Sequence, residues 1–223
     1  MDFKLSFNVN ESVYLRNPES SELGKLIIKH SIDLINSIGF ESFTFKKLAL
    51  AIGTTEATVY RYFENKHRLL LYIISWYWKY MDFLLDFQLQ NINDPKQKLK
   101  SVLNLLTHEL PSSTGGLEYN KKFLNQIVIS ESSKVYLTKE VAEINKSEVF
   151  NPYKELCAKI AAIITACNKK YPFPKSLSST IIEAAHHQQF FSVNLPRLTD
   201  VTAKNKNEFT FMFLEDLVFK ALG

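Results

Sequence analysis

Residues that could do chemistry gather in one stretch, Thr44 to Lys66, which reads TFKKLALAIGTTEATVYRYFENK. Its outward set is Thr54, Thr55, Glu56, Thr58, Tyr60 and Arg61: hydroxyls, a phenol, a cation and one carboxylate. Hydroxyls and backbone N–H groups at a helix start suit phosphate oxygens. A carboxylate such as Glu56 can accept from a cytosine N4 amine. Lys46 and Lys47 fall in the first turn of one helix, and Lys66 and Arg68 in that of another. An exposed cation there opposes the helix dipole by roughly 0.3–1 kcal/mol. A phosphate at those helix starts reverses the sign; the plain alternative is that the lysines point into water.

Catalytic and metal chemistry lack comparable support. His186 and His187 are adjacent, so on a helix they point about 100° apart and cannot ligate from one face. His108, Cys157 and Cys167 add no ligand spacing. The two cysteines, ten residues apart on or near one helix, lie about 15 Å apart along its axis, too far for a disulfide. No Gly-rich phosphate loop, G-x-S-x-G or H-E-x-x-H occurs. Glu215-Asp216 reads as a solvated patch. No enzyme activity, metal or cofactor is expected.

The elements that must position the Thr44–Lys66 stretch are helices. Six Gly and seven Pro in 223 residues are too few for a turn-rich all-β fold. Asn17-Pro18-Glu19 marks a helix start, and Leu23, Ile27, Leu34 and Ile38 recur at helical spacing before Gly39, which predicts a helix over 18–38. Thr44 opens a short helix to Ile52. Gly53 turns the chain, and a third helix runs from Thr55 to Phe63. Small Ala49 permits a close crossing, and Leu48, Ile52, Val59 and Phe63 can form one small core. This is helix-turn-helix construction: the first short helix braces and the second enters the major groove. Asn65 caps a long helix to Gln90, about 37 Å at ~1.5 Å per residue. Further helices are expected at 95–110, 117–130, 152–169, 177–194 and 208–222, with loops at 111–116 and 196–205. Phe3, Leu5, Phe7, Val9, Val13 and Leu15 alternate, which predicts a short strand or hairpin.

The stretch resembles the DNA-binding domain of the tetracycline-repressor (TetR) family of bacterial regulators. The match comprises Thr44, Leu48-Ala49, Gly53, Thr58-Val59-Tyr60, Tyr62-Phe63 and Lys66, and agreement spans about residues 20–75. The pattern of elements gives an all-α chain of about nine helices with an N-terminal arm at 1–17, the short β arm, and the resemblance assigns roles to the rest. A three-helix reader at 18–65 and a helical effector and dimerisation domain at 66–223 would follow. It implies phosphate contacts from Thr44, Lys46, Thr55, Thr58, Tyr60 and Lys66, and base-edge contacts from Glu56 and Ala57. An acidic residue at 56 is unusual there. It further implies a homodimer on double-stranded DNA, released by a small-molecule effector.

The C-terminal half can supply both remaining roles. From Phe209 to Leu222, ten of fourteen residues are hydrophobic. A surface helix needs one apolar stripe, so this one should be buried on two sides, one of them against a twin. Phe209, Phe213 and Leu217, with Leu177, Ile181, Ala184, Ala185, Gln188 and Phe191, would form that seam; one deep monomeric core is the alternative. Trp76, Tyr80, Phe83, Tyr119, Phe123, Phe150, His186 and Phe190 could line a mostly apolar effector pocket, although plain aromatic packing explains any one of them.

Composition bounds these readings. The net charge is +4, with 46% hydrophobic and 22% charged residues, values of an ordinary globule. Residues 41–80 hold six Lys/Arg against three Asp/Glu, so a nucleic-acid role must rest on the motif rather than on a strong field. The most apolar run, Leu69 to Trp78, is half the length of a membrane span. The start, Met1 to Leu5, lacks a secretory pattern, so a cytoplasmic protein without membrane contact is expected. The competing functions are a DNA-binding structural or partner-recognition protein of the same fold without an effector, and a helical enzyme or carrier.

Overall fold

In a computed structural model the described residues are 7–108, 119–200 and 205–223, and among them lie eleven α-helices and no strand. They divide into two compact units: residues 7–80 with 119–152, and residues 81–108 with 153–200 and 205–223.

The first unit opens with 310 turns at Glu11–Val13 and Pro18–Ser20. The alternating residues 7–15 thus form no strand; Phe3 and Leu5 lie outside the described residues. Asn10 and Asn17 explain this. Each side chain accepts from a backbone N–H two residues on and bends the chain locally. Helix α1 (Glu22–Ser42) therefore begins later than expected, capped by Ser21, whose hydroxyl accepts from Gly24 N–H at 3.1 Å. Gly39 does not end it. With φ +75°, ψ 155° it kinks the helix, and one further turn continues to Ser42, a conformation that Gly adopts without the Cβ penalty. The buried face is Ile27, Ile28, Ile32 and Ile35, while Ile38 is exposed.

Helices α2 (Phe45–Ala51) and α3 (Glu56–Tyr60) follow, with Thr44 and Thr55 as their N-caps. Leu48, Val59 and Phe63 are fully buried with Phe43 and Tyr62; each such side chain contributes about 1.5–3 kcal/mol by leaving water. Helix α4 (Lys66–Leu89) supplies residues to both units, which part between residues 80 and 81. Trp76, Tyr77, Trp78 and Tyr80 are all buried, which is why its aromatic residues occupy more than one face. Helices α6 (Lys121–Glu131), α7 (Ser133–Tyr136) and α8 (Val141–Lys146) complete the unit, with α6 packed on α1.

In the second unit α5 (Pro95–Thr107), α10 (Pro174–Asn194) and α11 (Lys206–Leu222) pack on one another, joined by α9 (Asn151–Cys167), which begins in the first unit. Ser178 Oγ on α10 donates to the Cys157 carbonyl on α9. Lys159 on α9 pairs with Asp82 and Asp86 on the last turns of α4, each at 2.7 Å. The expected loop at 111–116 and residues 117–118 lie outside the described residues, as do 201–204 of the expected loop at 196–205. The two helices beyond the expected nine are α7 and α8, both of six residues or fewer.

Candidate nucleic-acid interface

The recognition element is built from short-range bonds. Thr55 Oγ1 accepts from Thr58 N–H at 3.3 Å and lies 2.9 Å from Thr58 Oγ1. Thr44 Oγ1 accepts from Lys47 N–H at 3.2 Å. Thr54 N–H donates to the Ala49 carbonyl, which fastens the turn at Gly53. Val59 anchors α3 in the core, so Thr55, Glu56, Ala57, Tyr60 and Arg61 stand exposed, and Thr54 and Thr58 half-exposed. Tyr60 combines both environments: its ring packs edge-on against Phe45 at 4.9 Å, not against α1, yet the residue is 47% exposed. The Phe45 contact fixes the direction of the phenol.

Three of the four cations at the helix starts have acceptors inside the chain. Lys66 Nζ donates to the carbonyls of Phe40 at 3.0 Å, Glu41 at 3.1 Å and Phe43 at 3.4 Å, and lies 4.7 Å from the centre of the Phe40 ring. Lys47 Nζ donates to the Ser42 carbonyl, and Arg68 pairs with Glu64 at 3.8 Å. Lys46 is exposed. The last carbonyls of α1 are short of helical N–H partners, Gly39 and Phe40 sharing the one N–H of Phe43, so cations at the next helix starts meet those partial charges instead of water. In the chain without DNA, Lys66 thus closes the α1–α2 corner.

That corner is held from a second side. Lys134 bridges Glu41 and Glu131, each at 2.8 Å, and Glu131 Oε1 accepts from Phe40 N–H. Lys134 holds the Glu41 carboxyl below the usual range by hydrogen bonding first and charge second. The Glu131–Lys134 spacing of three was visible in the sequence; the ties to Phe40 and Glu41, about 90 residues away, carried no local signal.

Among the expected pocket residues, the first unit brings Trp76, Tyr80 and Tyr119 together, with ring centres 5.7 Å apart for Trp76–Tyr80 and 5.2 Å for Trp76–Tyr119. Phe7, not expected there, joins them. Trp76 Nε1 is buried without a hydrogen-bond partner among the described residues. Lys121 lies 6.0 Å from the Tyr80 ring centre, and burial lowers its pKa. Phe150 instead packs on Tyr136, and Phe123 is half-buried on α6. Phe83, His186 and Phe190 belong to the second unit. His186 is buried there, and burial first, then His187, lowers its pKa to about 4.

The expected seam residues separate in the same way. Leu177, Ile181 and Ala185 are buried inside the second unit, a correction to their placement at a subunit interface: their face of α10 packs on α5 and α11. Ala184, Gln188 and Phe191 stay half-exposed, and Phe209, Phe213 and Leu217 are exposed together with Met212. Helix α11 therefore has two apolar stripes. Thr210, Leu214, Val218 and Leu222 point inward, and Phe209, Phe213 and Leu217, offset by one position, remain uncovered.

Among the described residues no group of three His, Cys, Asp or Glu could hold a metal ion, and no helix is long and apolar enough to cross a membrane. Residues 27–73 match the family model of bacterial regulatory proteins, tetR family. No curated protein matches the sequence at a significant level. Solved structures share the fold. A transcriptional regulator from Saccharomonospora viridis in complex with choline is 15% identical, covers 89% of this chain and 97% of its own, and has a TM-score of 0.64. The fatty acid degradation regulator FadR from Bacillus halodurans is 18% identical over 89% of this chain and 98% of its own, with a TM-score of 0.60. AibR in complex with isovaleryl coenzyme A and operator DNA is 16% identical over 87% of this chain and 98% of its own, with a TM-score of 0.58.

Proposed function

We propose, from the premise that residues 27–73 are a tetR-family DNA-binding domain in a chain with the fold of transcriptional regulators, that the protein is a cytoplasmic, homodimeric repressor. It binds a palindromic operator and is released by a small-molecule effector. Its work is binding, not catalysis. The observation that carries the reading is the exposed side of α3, where hydroxyls, a phenol and a guanidinium surround a helix anchored by Val59. Thr44, Lys46, Thr54, Thr55, Thr58, Tyr60 and Arg61 contact phosphates, and Glu56 and Ala57 face base edges. Lys66 acts from behind, by holding the α1–α2 corner.

Dimerisation through the outer stripe of α11 and the half-exposed side of α10 gives two readers. Spaced about 34–36 Å apart, they meet successive major grooves on one face of the duplex. The effector is mostly apolar, as the Trp76, Tyr80 and Tyr119 rings demand, with an acceptor for the unpartnered Trp76 N–H. AibR is described with an acyl coenzyme A and operator DNA, and the Saccharomonospora regulator with choline, so this architecture has room for both kinds of partner.

Selecting genomic fragments that bind the purified protein tests the reading. A short inverted repeat, bound more weakly as salt rises, is the expected result. Indifference to every duplex at low ionic strength overturns it.

A further inference from the structure

Residues 7–20 run as a strap along the first unit, and its ends hold different things. At one end the Phe7 ring meets Trp76 edge-on at 5.2 Å and Tyr80 at 6.3 Å. Val9 and Val13 are buried, and Asn10 Nδ2 donates to the Ser147 carbonyl at 2.8 Å. At the other end Leu15 N–H donates to the Tyr62 carbonyl at 2.8 Å. The Arg16 guanidinium lies 5.2 Å from the Tyr62 ring centre, and the Tyr62 hydroxyl is 2.8 Å from Ser21 Oγ. Tyr62 stands two residues past the last residue of α3, so the strap is bonded to the backbone that leaves the recognition helix. Glu19 adds a second anchor: its Oε1 accepts from the Tyr119 hydroxyl at 2.7 Å and the Tyr72 hydroxyl at 3.2 Å. Phe7 and Tyr119, two anchors of the strap, are therefore also walls around Trp76.

We propose that the strap couples this ring cluster to the recognition helix. An occupant of the Trp76–Tyr80–Tyr119 cluster takes the place of Phe7, and loss of that anchor frees Leu15 from Tyr62. The inference rests on the effector reading of these three residues. Two observations point to a ligand here. The cluster is closed on one side by the Phe7 ring, from a non-helical segment, and the buried Trp76 N–H has no acceptor among the described residues. A molecule with an aromatic ring and an oxygen acceptor replaces the first and satisfies the second.

Hydrogen exchange of the Leu15 amide in the full chain tests the coupling without DNA. Phe7→Ala is expected to speed that exchange by about tenfold or more and to leave α9 amides unchanged, because local opening is not shared across the molecule. 3-Phenylpropionate, which carries the phenyl ring of Phe7 and a carboxylate acceptor, is expected to speed the same amide in the wild-type chain at millimolar concentration. Leu15→Pro cuts the strap at its other end. Leu15 is exposed and Tyr14 is already extended at φ −138°, ψ 158°, as a following proline requires. This variant should bind the selected operator several-fold more weakly, with no further loss on adding Phe7→Ala. An unchanged Leu15 amide in Phe7→Ala, or full operator affinity in Leu15→Pro, overturns the coupling. Acceleration by Phe7→Ala but none by 3-phenylpropionate overturns the displacement step and leaves the strap a passive tie. A chain that binds no duplex overturns the regulator reading instead, and the exchange rates still decide the strap.

Discussion

Replacing Lys66 by Met separates two jobs that one cation could do. The variant keeps the aliphatic stem and removes the ammonium. In the folded chain that ammonium serves the carbonyls of Phe40, Glu41 and Phe43 and lies over the Phe40 ring. Water can replace it at the exposed Glu41 carbonyl. At the part-buried Phe43 carbonyl it cannot, and an unsatisfied acceptor costs about 1 kcal/mol, whereas the Phe40 carbonyl keeps the Phe43 N–H. The ring contact adds about 0.5–1 kcal/mol. The expected loss is therefore about 1.5–2 kcal/mol, or roughly 3–8 °C in Tm for a chain of this size. Operator affinity falls too, because the α1–α2 corner loosens, but no phosphate loses its counterion. The slope of log affinity against log salt should then stay constant, whereas loss of a phosphate contact lowers it by about 0.9. Thermal melts and anisotropy titrations at several salt concentrations decide. An unchanged Tm with a slope lower by about 0.9 refutes the capping argument and returns Lys66 to the DNA.

Three further outcomes are expected. Tyr60→Phe keeps the ring against Phe45 and removes only the hydroxyl, so operator affinity should drop about tenfold, the value of one hydrogen bond to a charged group, with Tm unchanged; equal gel-shift affinity would remove Tyr60 from the contact set. Phe213→Asp places a charge on the outer stripe of α11, where Phe213 is 45% exposed in the single chain, so the fold should persist while light scattering reports half the wild-type mass; a normal dimer would refute the seam. Acid should weaken the second unit through His186: the unfolded chain takes up a proton from about pH 6.5 downward, but the folded chain only near pH 4, so stability falls across that window by about 3 kcal/mol in total. Urea unfolding at pH 7 and 4.5 should show most of this loss in wild type and little of it in His186→Gln; equal losses in both would refute it.

The recognition stretch was legible because its contacts are short-range. Thr44 and Thr55 cap helices that begin one residue later, and Val59 alternates with exposed neighbours at helical spacing. Composition likewise revealed that α11 is apolar on two sides. What stayed hidden depended mostly on distant partners. Leu177 and Ile181 read as seam residues because an apolar face looks alike whether its neighbour is another helix of the chain or a twin. The carbonyl acceptors of Lys66, 23 to 26 residues away, left no local signal. The arm read as a strand because alternation in Phe3 to Leu15 ignores Asn10, whose side chain turns the backbone. Glu19 gave no sign at all, since its tyrosines lie 53 and 100 residues distant.

Pro18 crosses α1 at Gly24 so closely that a Cβ built there would meet the Pro18 carbonyl oxygen at 2.2 Å. One methyl group at that position would lift the arm away from the helix without touching any side chain on α3. Position 24 is thus a natural point of divergence: a descendant that acquires alanine there would keep every side chain of α3 yet seat its arm differently.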